Sequence, residues 1–366
     1  MATPLLAVDS EHPAEQKTVE LLDGGVEAFP RMLAAIDAAK RTIHLEIYIF
    51  AWDEIGGRFI TALSAASQRG VQVNVILDGW GSSLSGIRVR TALRHAGCTV
   101  LVYNRLWTLF VGRFRRNHRK LLLVDDEFAV LGGINIADEY ARPYEAGGWA
   151  DLAIVVRGPA CVDIGRMLRK EPVLNTDPEV RVLLSGARGS RQLRRSYIKA
   201  LRDAEREVWM AQAYFIPDAG LVRAIVRARK RGVAVRLLLA GRSDVPFARS
   251  ATMSLYARLL RAGVEIHEWT QSVLHAKAAV IDDKKLLVGS FNLDPLSMVN
   301  LETLVEVTVQ SVAHKGREWI AGHAANGKLV VAADCRRTVW QRFLTDHVGL
   351  AMARVAQWVA RLIGKT

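Results

Sequence analysis

Apolar and polar residues follow helical and extended periods along the chain, and the same succession occurs twice. A helix-like stretch runs into an apolar strand at Ile36–Phe50 and again at Leu201–Phe215. A second helical pattern ends at Arg-Gly in each half and precedes a β-branched run, Val71–Leu77 or Val233–Leu239. A glycine after a helix suits a left-handed C-cap, and such alternation is typical of βαβ units. The pattern predicts an α/β fold of two pseudo-symmetric halves, with mostly parallel sheets flanked by helices.

The sharpest repeat is an HxKxxxxD motif, present once in each half. Its residues are His118, Lys120 and Asp125 in the first half, and His275, Lys277 and Asp282 in the second. Ten positions after each aspartate comes an asparagine, preceded by a glycine-containing turn, and an acid follows later. These residues are Gly133, Asn135 and Asp151 in the first half, and Ser290, Asn292 and Glu302 in the second. Two copies at the same offsets argue against coincidence.

The length and composition of the chain indicate that it folds and how many structural units it contains. The chain has 366 residues, of which 50% are hydrophobic and 24% charged, and this balance excludes a disordered chain. The length fits two halves, each able to bury a core. We expect a first half over residues 1–178, a second over 179–326 and a basic amphipathic tail over 327–366.

Charge and cysteine content indicate which kinds of site, compartment and partner to expect. The three cysteines are far apart, without CxxC spacing, so a disulfide scaffold or a cysteine-based zinc site is not expected. No run is long enough to span a bilayer, and the N-terminus lacks the basic region of a secretory signal. The formal net charge of +13 favours a polyanionic partner, either a nucleic acid or an anionic membrane surface.

The repeated residues predict a chemistry if the two halves pack as a pseudo-dimer. Side chains two apart on a strand share a face, so His118 lies beside Lys120 and His275 beside Lys277. A cleft with two imidazoles and two ammonium groups repels a metal cation, and we expect no metal or other cofactor. It suits a phosphodiester, whose non-bridging oxygens the lysines and asparagines bind.

Two histidines permit a two-step displacement. One attacks phosphorus, and the other protonates the leaving oxygen and then deprotonates the incoming hydroxyl. The second nitrogen of a nucleophilic imidazole should donate to a carboxylate, for which Asp151 and Glu302 are the candidates. Asp125 and Asp282 stand seven residues from the histidines, too far along one strand to reach them. Reasoning from the residues therefore gives these two a structural or indirect role.

These paired motifs resemble those of the phospholipase D superfamily, and their form is similar to that of bacterial cardiolipin synthases. The resemblance covers residues from about Val19 to about Val307. It implies a sandwich-like α/β fold with the active site between the halves, a phosphohistidine intermediate and no required metal. It also implies a set of site residues: catalytic His118, Lys120, Asp125, His275, Lys277 and Asp282, with phosphate binding by Gly133, Asn135, Ser290 and Asn292. In the family the first-motif histidine, here His118, is usually the nucleophile.

Three features favour lipid as the substrate. Gly132–Tyr140 resembles the cardiolipin synthase form of the first motif. Leu106–Arg116 mixes aromatic and basic residues just before His118, as an interfacial loop would, although a folded loop with a basic edge is the alternative. Arg336–Lys365 has six basic residues and one acid, with apolar residues near helical spacing. This predicts a helix that lies on an anionic membrane or, equally, one that docks on protein.

The resemblance implies a phosphatidyltransferase that makes cardiolipin from two phosphatidylglycerol molecules and releases glycerol. Its expected place is the cytoplasmic side of the cell inner membrane, bound peripherally to anionic phospholipid. A phospholipase D-type lipid hydrolase, a metal-independent nuclease of the superfamily and a non-catalytic membrane-binding protein are the alternatives. No stacking platform for nucleic acid is apparent, and we expect no nucleic-acid partner. The oligomeric state stays open.

Overall fold

A computed structural model describes residues 18–83, 85–104, 115–186, 189–244 and 246–335. Among these, the first half forms a seven-stranded sheet with helices against it. Its strands are β1 (Val19–Asp23), β2 (Thr42–Ile47), β3 (Gln72–Asp78), β4 (Thr99–Tyr103), β5 (Leu121–Val124), β6 (Phe128–Gly132) and β7 (Leu152–Arg157). Its helices are α1 (Gly24–Ala38), α2 (Glu54–Gln68), α3 (Gly86–His95) and α4 (Pro159–Leu168).

The second half repeats this plan in an eight-stranded sheet. Its strands are β8 (Val180–Leu184), β9 (Glu207–Gln212), β10 (Ala234–Ala240), β11 (Glu265–Trp269), β12 (Lys277–Ile281), β13 (Lys285–Gly289), β14 (Thr303–Val307) and β15 (Lys328–Leu329). Its helices are α5 (Arg191–Asp203), α6 (Ala219–Lys230), α7 (Pro246–Met253), α8 (Tyr256–Arg261) and α9 (Gln310–Ala325). The two-half α/β architecture predicted from the repeat is confirmed.

The helix ends follow the local signals that the repeat contains. The Asp53 carboxylate accepts the Gly56 amide at the start of α2, and Asp218 accepts the Gly220 amide at the start of α6. Just past the C-caps of these two helices, Gly70 and Gly232 have φ values of 88° and 92°. Only glycine adopts this left-handed conformation without steric cost, so the predicted glycine stops are confirmed.

The prediction of mostly parallel sheets was wrong, because both sheets are mixed. The strand orders are β1-β7-β6-β5-β2-β3-β4 and β15-β11-β10-β9-β12-β13-β14-β8. Strands β2-β3-β4 and β9-β10-β11, which helices connect, are parallel. The motif strands are antiparallel to their neighbours, because β5–β6 and β12–β13 are joined by three-residue turns. A turn this short can join only antiparallel strands.

The two sheets face each other across an apolar layer. One hydrophobic cluster contains Leu131 and Ile154 from the first sheet together with Ala278, Val288 and Val305 from the second. All five side chains are almost fully buried. Burying apolar surface on both inner faces holds the halves together and fixes the ends of their strands beside one another.

Among the described helices, none is both long and apolar enough to cross a membrane. The predicted tail begins at 327, and its first residues include β15, which pairs with β11. Most of the Leu106–Arg116 loop and all of Arg336–Lys365 lie outside the described residues.

Candidate active site

Each motif histidine lies in an extended segment that pairs with the other half of the molecule. The His118 amide donates to the Leu301 carbonyl oxygen at 2.9 Å, and the His275 amide donates to the Ala150 carbonyl oxygen at 2.8 Å. Each of these carbonyl groups belongs to the residue immediately before a predicted orienting acid. The backbone therefore brings the histidine of one half beside the acid of the other.

The side chains complete this exchange between the halves. His118 Nδ1 lies 3.0 Å from Glu302 Oε2, and His275 Nδ1 lies 2.7 Å from Asp151 Oδ2. Both carboxylates have no solvent-exposed surface. A proton on Nδ1 lets each ring donate to its carboxylate, which leaves Nε2 outside this contact and fixes the plane of the imidazole.

Both motif lysines fold back toward the histidines. Lys120 Nζ donates to the His118 carbonyl oxygen at 2.8 Å. Lys277 Nζ donates to the His275 carbonyl oxygen and lies 2.8 Å from His275 Nδ1. The lysines are almost completely buried, so two cationic groups border the imidazoles in a site of low water content.

Burial is the main cause that lowers the pKa of both histidines. For His118, the positive charges of Lys120, Lys277 and His275 follow as further causes. For His275, Lys277 lowers the pKa while Asp151 opposes it. A depressed pKa favours the neutral ring, which is the form that a nucleophile and a general base need, whereas the Asp151 charge favours the imidazolium form of His275 that a general acid needs.

Burial shifts the pKa values of the acidic and basic groups beside the histidines in opposite directions, so the values of Glu302 and Lys277 come close together. Burial raises the pKa of Glu302 to about 8, against the opposing effects of Lys120 and the Ser290 hydrogen bond. Burial lowers the pKa of Lys277 to about 8, against the attraction of Asp151 and other carboxylates. Burial and then Lys277 lower the pKa of Lys120 well below its usual range. A bound phosphodiester anion would favour the charged form of both lysines.

Aromatic rings enclose both histidines. The ring of Tyr48 packs edge-on against His118 at a centroid distance of 4.8 Å, and the Lys120 ammonium lies 5.1 Å from the same ring. The hydroxyl of the buried Tyr140 lies 3.2 Å from His275 Nδ1, and Trp149 lies 5.6 Å from the His275 ring. These rings exclude water from the imidazoles.

Gly133 and Ser290 support the orienting carboxylates. A Cβ atom at Gly133 would collide with the Asp151 carboxylate, so glycine leaves room for it. The Ser290 hydroxyl donates to Glu302 Oε2 at 2.5 Å and accepts the Thr303 amide at 3.0 Å. Gly133 and Ser290 occupy equivalent positions of the repeat. Gly133 makes room for the Asp151 carboxylate, whereas Ser290 holds the Glu302 carboxylate by a hydrogen bond.

The two asparagines differ in how they are used. Asn135 accepts the Ile49 amide through Oδ1 and donates to the Tyr140 hydroxyl through Nδ2. The Oδ1 atom of Asn292 is buried and has no hydrogen-bond partner among the described residues. Asn135 therefore orders the pocket around His275, whereas the side-chain oxygen of Asn292 is a buried acceptor without such a role.

Asp125 and Asp282 lie at the far end of the motif strands, away from the imidazoles. The Asp125 carboxylate accepts the backbone amides of Lys40, Arg41 and Thr42. The Asp282 carboxylate accepts those of Glu205, Arg206 and Glu207 in the same way. These contacts match the structural role that spacing predicted, and we make no proposal of direct catalysis by either residue.

Within the described part of the chain, no group of three or more histidine, cysteine or acidic residues is placed to hold a metal ion. A family model described as "Cardiolipin synthase, PLD-like domain" matches residues 32–147 and 197–323, which include both motifs. The chain belongs to this phospholipase D-like family. The resemblance drawn from the motifs is confirmed.

Similar proteins agree with this family assignment. Cardiolipin synthase B of Shigella flexneri is 33% identical over 347 residues, covering 88% of this chain and 82% of that protein. Cardiolipin synthase 1 of Bacillus anthracis is 28% identical over 328 residues, covering 81% of this chain and 64% of that protein. The phosphatidylserine synthase of Haemophilus influenzae Rd KW20 shares the fold, with a TM-score of 0.73 at 14% identity, over 93% of this chain and 95% of that one.

Reasoning from the sequence missed several residues of this family's site. The sequence patterns did not single out Tyr140, Tyr48 or Glu46 as residues of the site. Glu46 is almost fully buried and accepts a hydrogen bond from Asn117 Nδ2 at 2.7 Å. A buried acid on a predicted apolar strand was the available signal, because such a group needs a partner.

Proposed function

We propose that the protein is a phosphatidyltransferase that makes cardiolipin. It transfers the phosphatidyl group of one phosphatidylglycerol to another and releases glycerol. The observation that carries this proposal is the exchange of carboxylates between the halves, Glu302 on His118 and Asp151 on His275. It leaves two imidazoles in one buried site, each with Nε2 available. The cardiolipin synthases among the similar proteins support the choice of lipid.

The first step forms a covalent intermediate. The Nε2 lone pair of His118 attacks phosphorus, and the bond between phosphorus and the glycerol oxygen breaks. The electron pair leaves with that oxygen, which takes the Nε2 proton of the His275 imidazolium, a cation that Asp151 stabilises. Lys120 and Lys277 stabilise the negative charge on the non-bridging oxygens, and Asn292 supplies an amide to the same phosphate.

The second step reverses the roles. The glycerol hydroxyl of a second phosphatidylglycerol gives its proton to His275 and attacks phosphorus. The bond between phosphorus and Nε2 breaks, and its electron pair returns to His118. Transfer outcompetes hydrolysis only if water is kept from the intermediate. Burial of His118, His275 and both lysines supports this exclusion.

The experiment supplies the purified protein with head-group-labelled phosphatidylglycerol in mixed micelles. We expect released glycerol and a four-chain phospholipid, with a covalent adduct on His118 found by mass spectrometry after acid-free quenching. Phosphatidic acid as the sole lipid product would make the protein a hydrolase. Cleavage of DNA without added metal, in place of lipid turnover, would make it a nuclease.

The proposed location is the cytoplasmic face of the inner membrane, where the protein binds peripherally to anionic phospholipid. The net charge of +13 supports this location, because each basic residue near an anionic surface is attracted to it. Flotation with vesicles tests it. Recovery with phosphatidylglycerol vesicles should exceed recovery with neutral vesicles and fall with added salt, and equal recovery would contradict the proposal.

A further inference from the structure

The residues that flank the two histidines differ completely. His118 stands between Asn117 and Arg119, whereas His275 stands between Leu274 and Ala276. Asn117, Leu274 and Ala276 are buried, so the difference lies inside the protein and not on its surface. Pseudo-symmetric positions therefore have a polar support in one half and an apolar one in the other.

The polar support consists of Glu46, Asp78, Asn117 and Arg119, which we call the His118 support. The Asn117 amide donates to Asp78 Oδ2 at 2.7 Å, and its side-chain Nδ2 donates to Glu46 Oε2 at 2.7 Å. Arg119 Nη1 lies 3.3 Å from Glu46 Oε1. Asp78 also accepts the amides of Trp80 and Gly81. Glu46 Oε1 also lies 3.1 Å from His44 Nε2, and both carboxylates are almost fully buried, so they depend on these contacts.

The second half has alanine at the positions of both carboxylates. Glu46 pairs across the sheet with Leu121, the residue after Lys120, and Ala211 pairs with Ala278, the residue after Lys277. Asp78 is the last residue of β3, and Ala240 is the last residue of β10, the equivalent strand of the second half. The fold thus forms around an apolar version of this region, and the His118 support is not required to build a half.

The His118 support also reaches the acid that orients His118. Arg119 Nη2 donates to the Ser185 carbonyl oxygen at 2.5 Å, across the boundary between the halves. The Ser185 hydroxyl accepts the Glu302 amide at 2.6 Å, and the Ser185 amide donates to the Glu302 carbonyl oxygen. One connected set of hydrogen bonds therefore fixes both the imidazole and its carboxylate.

We propose that Asn117 and Arg119, held by Glu46 and Asp78, are positioning residues that fix His118 and Glu302 relative to the reacting phosphorus. This inference rests on the proposed function of His118 as the nucleophile. A nucleophile must approach to roughly 3–3.5 Å along one line, and small displacements cost rate steeply. A proton donor such as His275 tolerates more variation, because it acts over ordinary hydrogen-bond geometry. The half that forms the covalent bond is the half with the ionic support.

The test gives the first half the apolar support of the second. Asn117→Leu copies Leu274, and Glu46→Gln keeps the shape of the side chain while it removes the charge. Glu268→Gln is the matched control, because Glu268 is an equally buried acid on β11, bound to Tyr256 and Arg249 away from the histidines. Two readouts are used: steady-state transfer between phosphatidylglycerol molecules, and the burst of nitrophenolate from a soluble nitrophenyl phosphodiester.

We expect Asn117→Leu and Glu46→Gln to lose about 10- to 100-fold in kcat and in burst rate, with KM within about two-fold. Glu268→Gln should keep both rates, and its melting temperature should shift by about as much as that of Glu46→Gln. Wild-type rates in Asn117→Leu, or an equal loss in Glu268→Gln, would overturn the positioning role. A wild-type burst without any cardiolipin would refute the proposed lipid reaction while the variants still test positioning. A protein without any burst would refute both.

Discussion

The two motif hairpins share a skeleton and differ in their surroundings. Asp125 and Asp282 each end the motif strand with positive φ values of 56° and 54°, and each accepts three backbone amides from the opposite loop. The surroundings of the two imidazoles, in contrast, differ. His118 has Tyr48 and the polar support of Glu46 beside it, whereas His275 has the Tyr140 hydroxyl. The halves share the contacts that build each of them, and they differ in the environments of their histidines.

Neither half holds a complete site. Each histidine takes its carboxylate from the other half, so the catalytic unit is the pair of halves. Because the environments differ, the two histidines need not have equal roles. The predictions below separate these roles, beginning with the variants that should change activity most.

The largest effect should come from the histidines themselves. His118→Ala removes the nucleophile, so we expect no trapped adduct and no transfer. His275→Ala removes the acid and base, which typically contributes about 10²- to 10⁴-fold. With a nitrophenolate leaving group that needs no protonation, His275→Ala should still form the adduct on His118. Mass spectrometry of the quenched variants distinguishes the two cases, and an adduct on residue 275 of His118→Ala would reverse the assignment.

The exchanged carboxylates should come next. Asp151→Asn and Glu302→Gln keep the shape of the side chain but no longer fix the proton on Nδ1, and loss of a carboxylate that orients a functional imidazole costs about 10- to 100-fold. Glu302→Gln should slow adduct formation, and Asp151→Asn should slow release of an alcohol leaving group. Single-turnover kinetics measures each step. An identical loss on both steps in both variants would remove the distinction between the halves.

Glu302→Gln also has a consequence for stability. The folded-state pKa of Glu302 is raised from 4.5 to about 8, so the folded protein binds the extra proton between these values. The stability that this group contributes is present at low pH and is lost as the pH rises through the folded pKa. Glutamine resembles the protonated acid, so the variant should lose less stability than the wild type from about pH 5 to about pH 9. Denaturant titrations at several pH values measure this, and parallel curves would contradict it.

A smaller effect follows from Lys277, whose pKa of about 8 lies near neutrality. Phosphate binding needs the ammonium form, so KM for phosphatidylglycerol should rise as the pH increases through about 8. Bound substrate raises the lysine pKa, so kcat should stay flat over a wider range. Lys277→Arg keeps its charge and is the control, because its KM should not rise in this interval. A wild-type KM independent of pH would show that Lys277 remains charged.

The sequence was enough to predict the repeat, the glycine stops at Gly70 and Gly232, and the pairing of two motifs in one site. It did not predict whether neighbouring strands are parallel or antiparallel, because an apolar run indicates burial but not direction. The short turns after Val124 and Ile281 determine the direction of the strands that they join. It did not predict that Tyr140 reaches His275, since that contact joins residues 135 positions apart with no spacing rule between them. The contacts of Glu46 with Asn117 and Arg119 were likewise hidden, because these residues lie 71 and 73 positions away in the segment before β5.

The smallest change should come from the shared skeleton. Asp125→Asn and Asp282→Asn each weaken a carboxylate that accepts three backbone amides, so we expect about 1–3 kcal/mol of lost stability with kcat unchanged. Hydrogen bonds from these amides lower the pKa of both acids against the effect of burial. Their stabilisation is present above the unfolded pKa of 3.8 and is lost as the pH falls through the lower folded value. Asp126→Asn is the control from the same turn, because its exposed pair with Arg169 should contribute less than about 1 kcal/mol. Equal losses in Asp125→Asn and Asp282→Asn would support a skeleton common to both halves, whereas a fall in kcat for either variant would assign that residue to the chemistry.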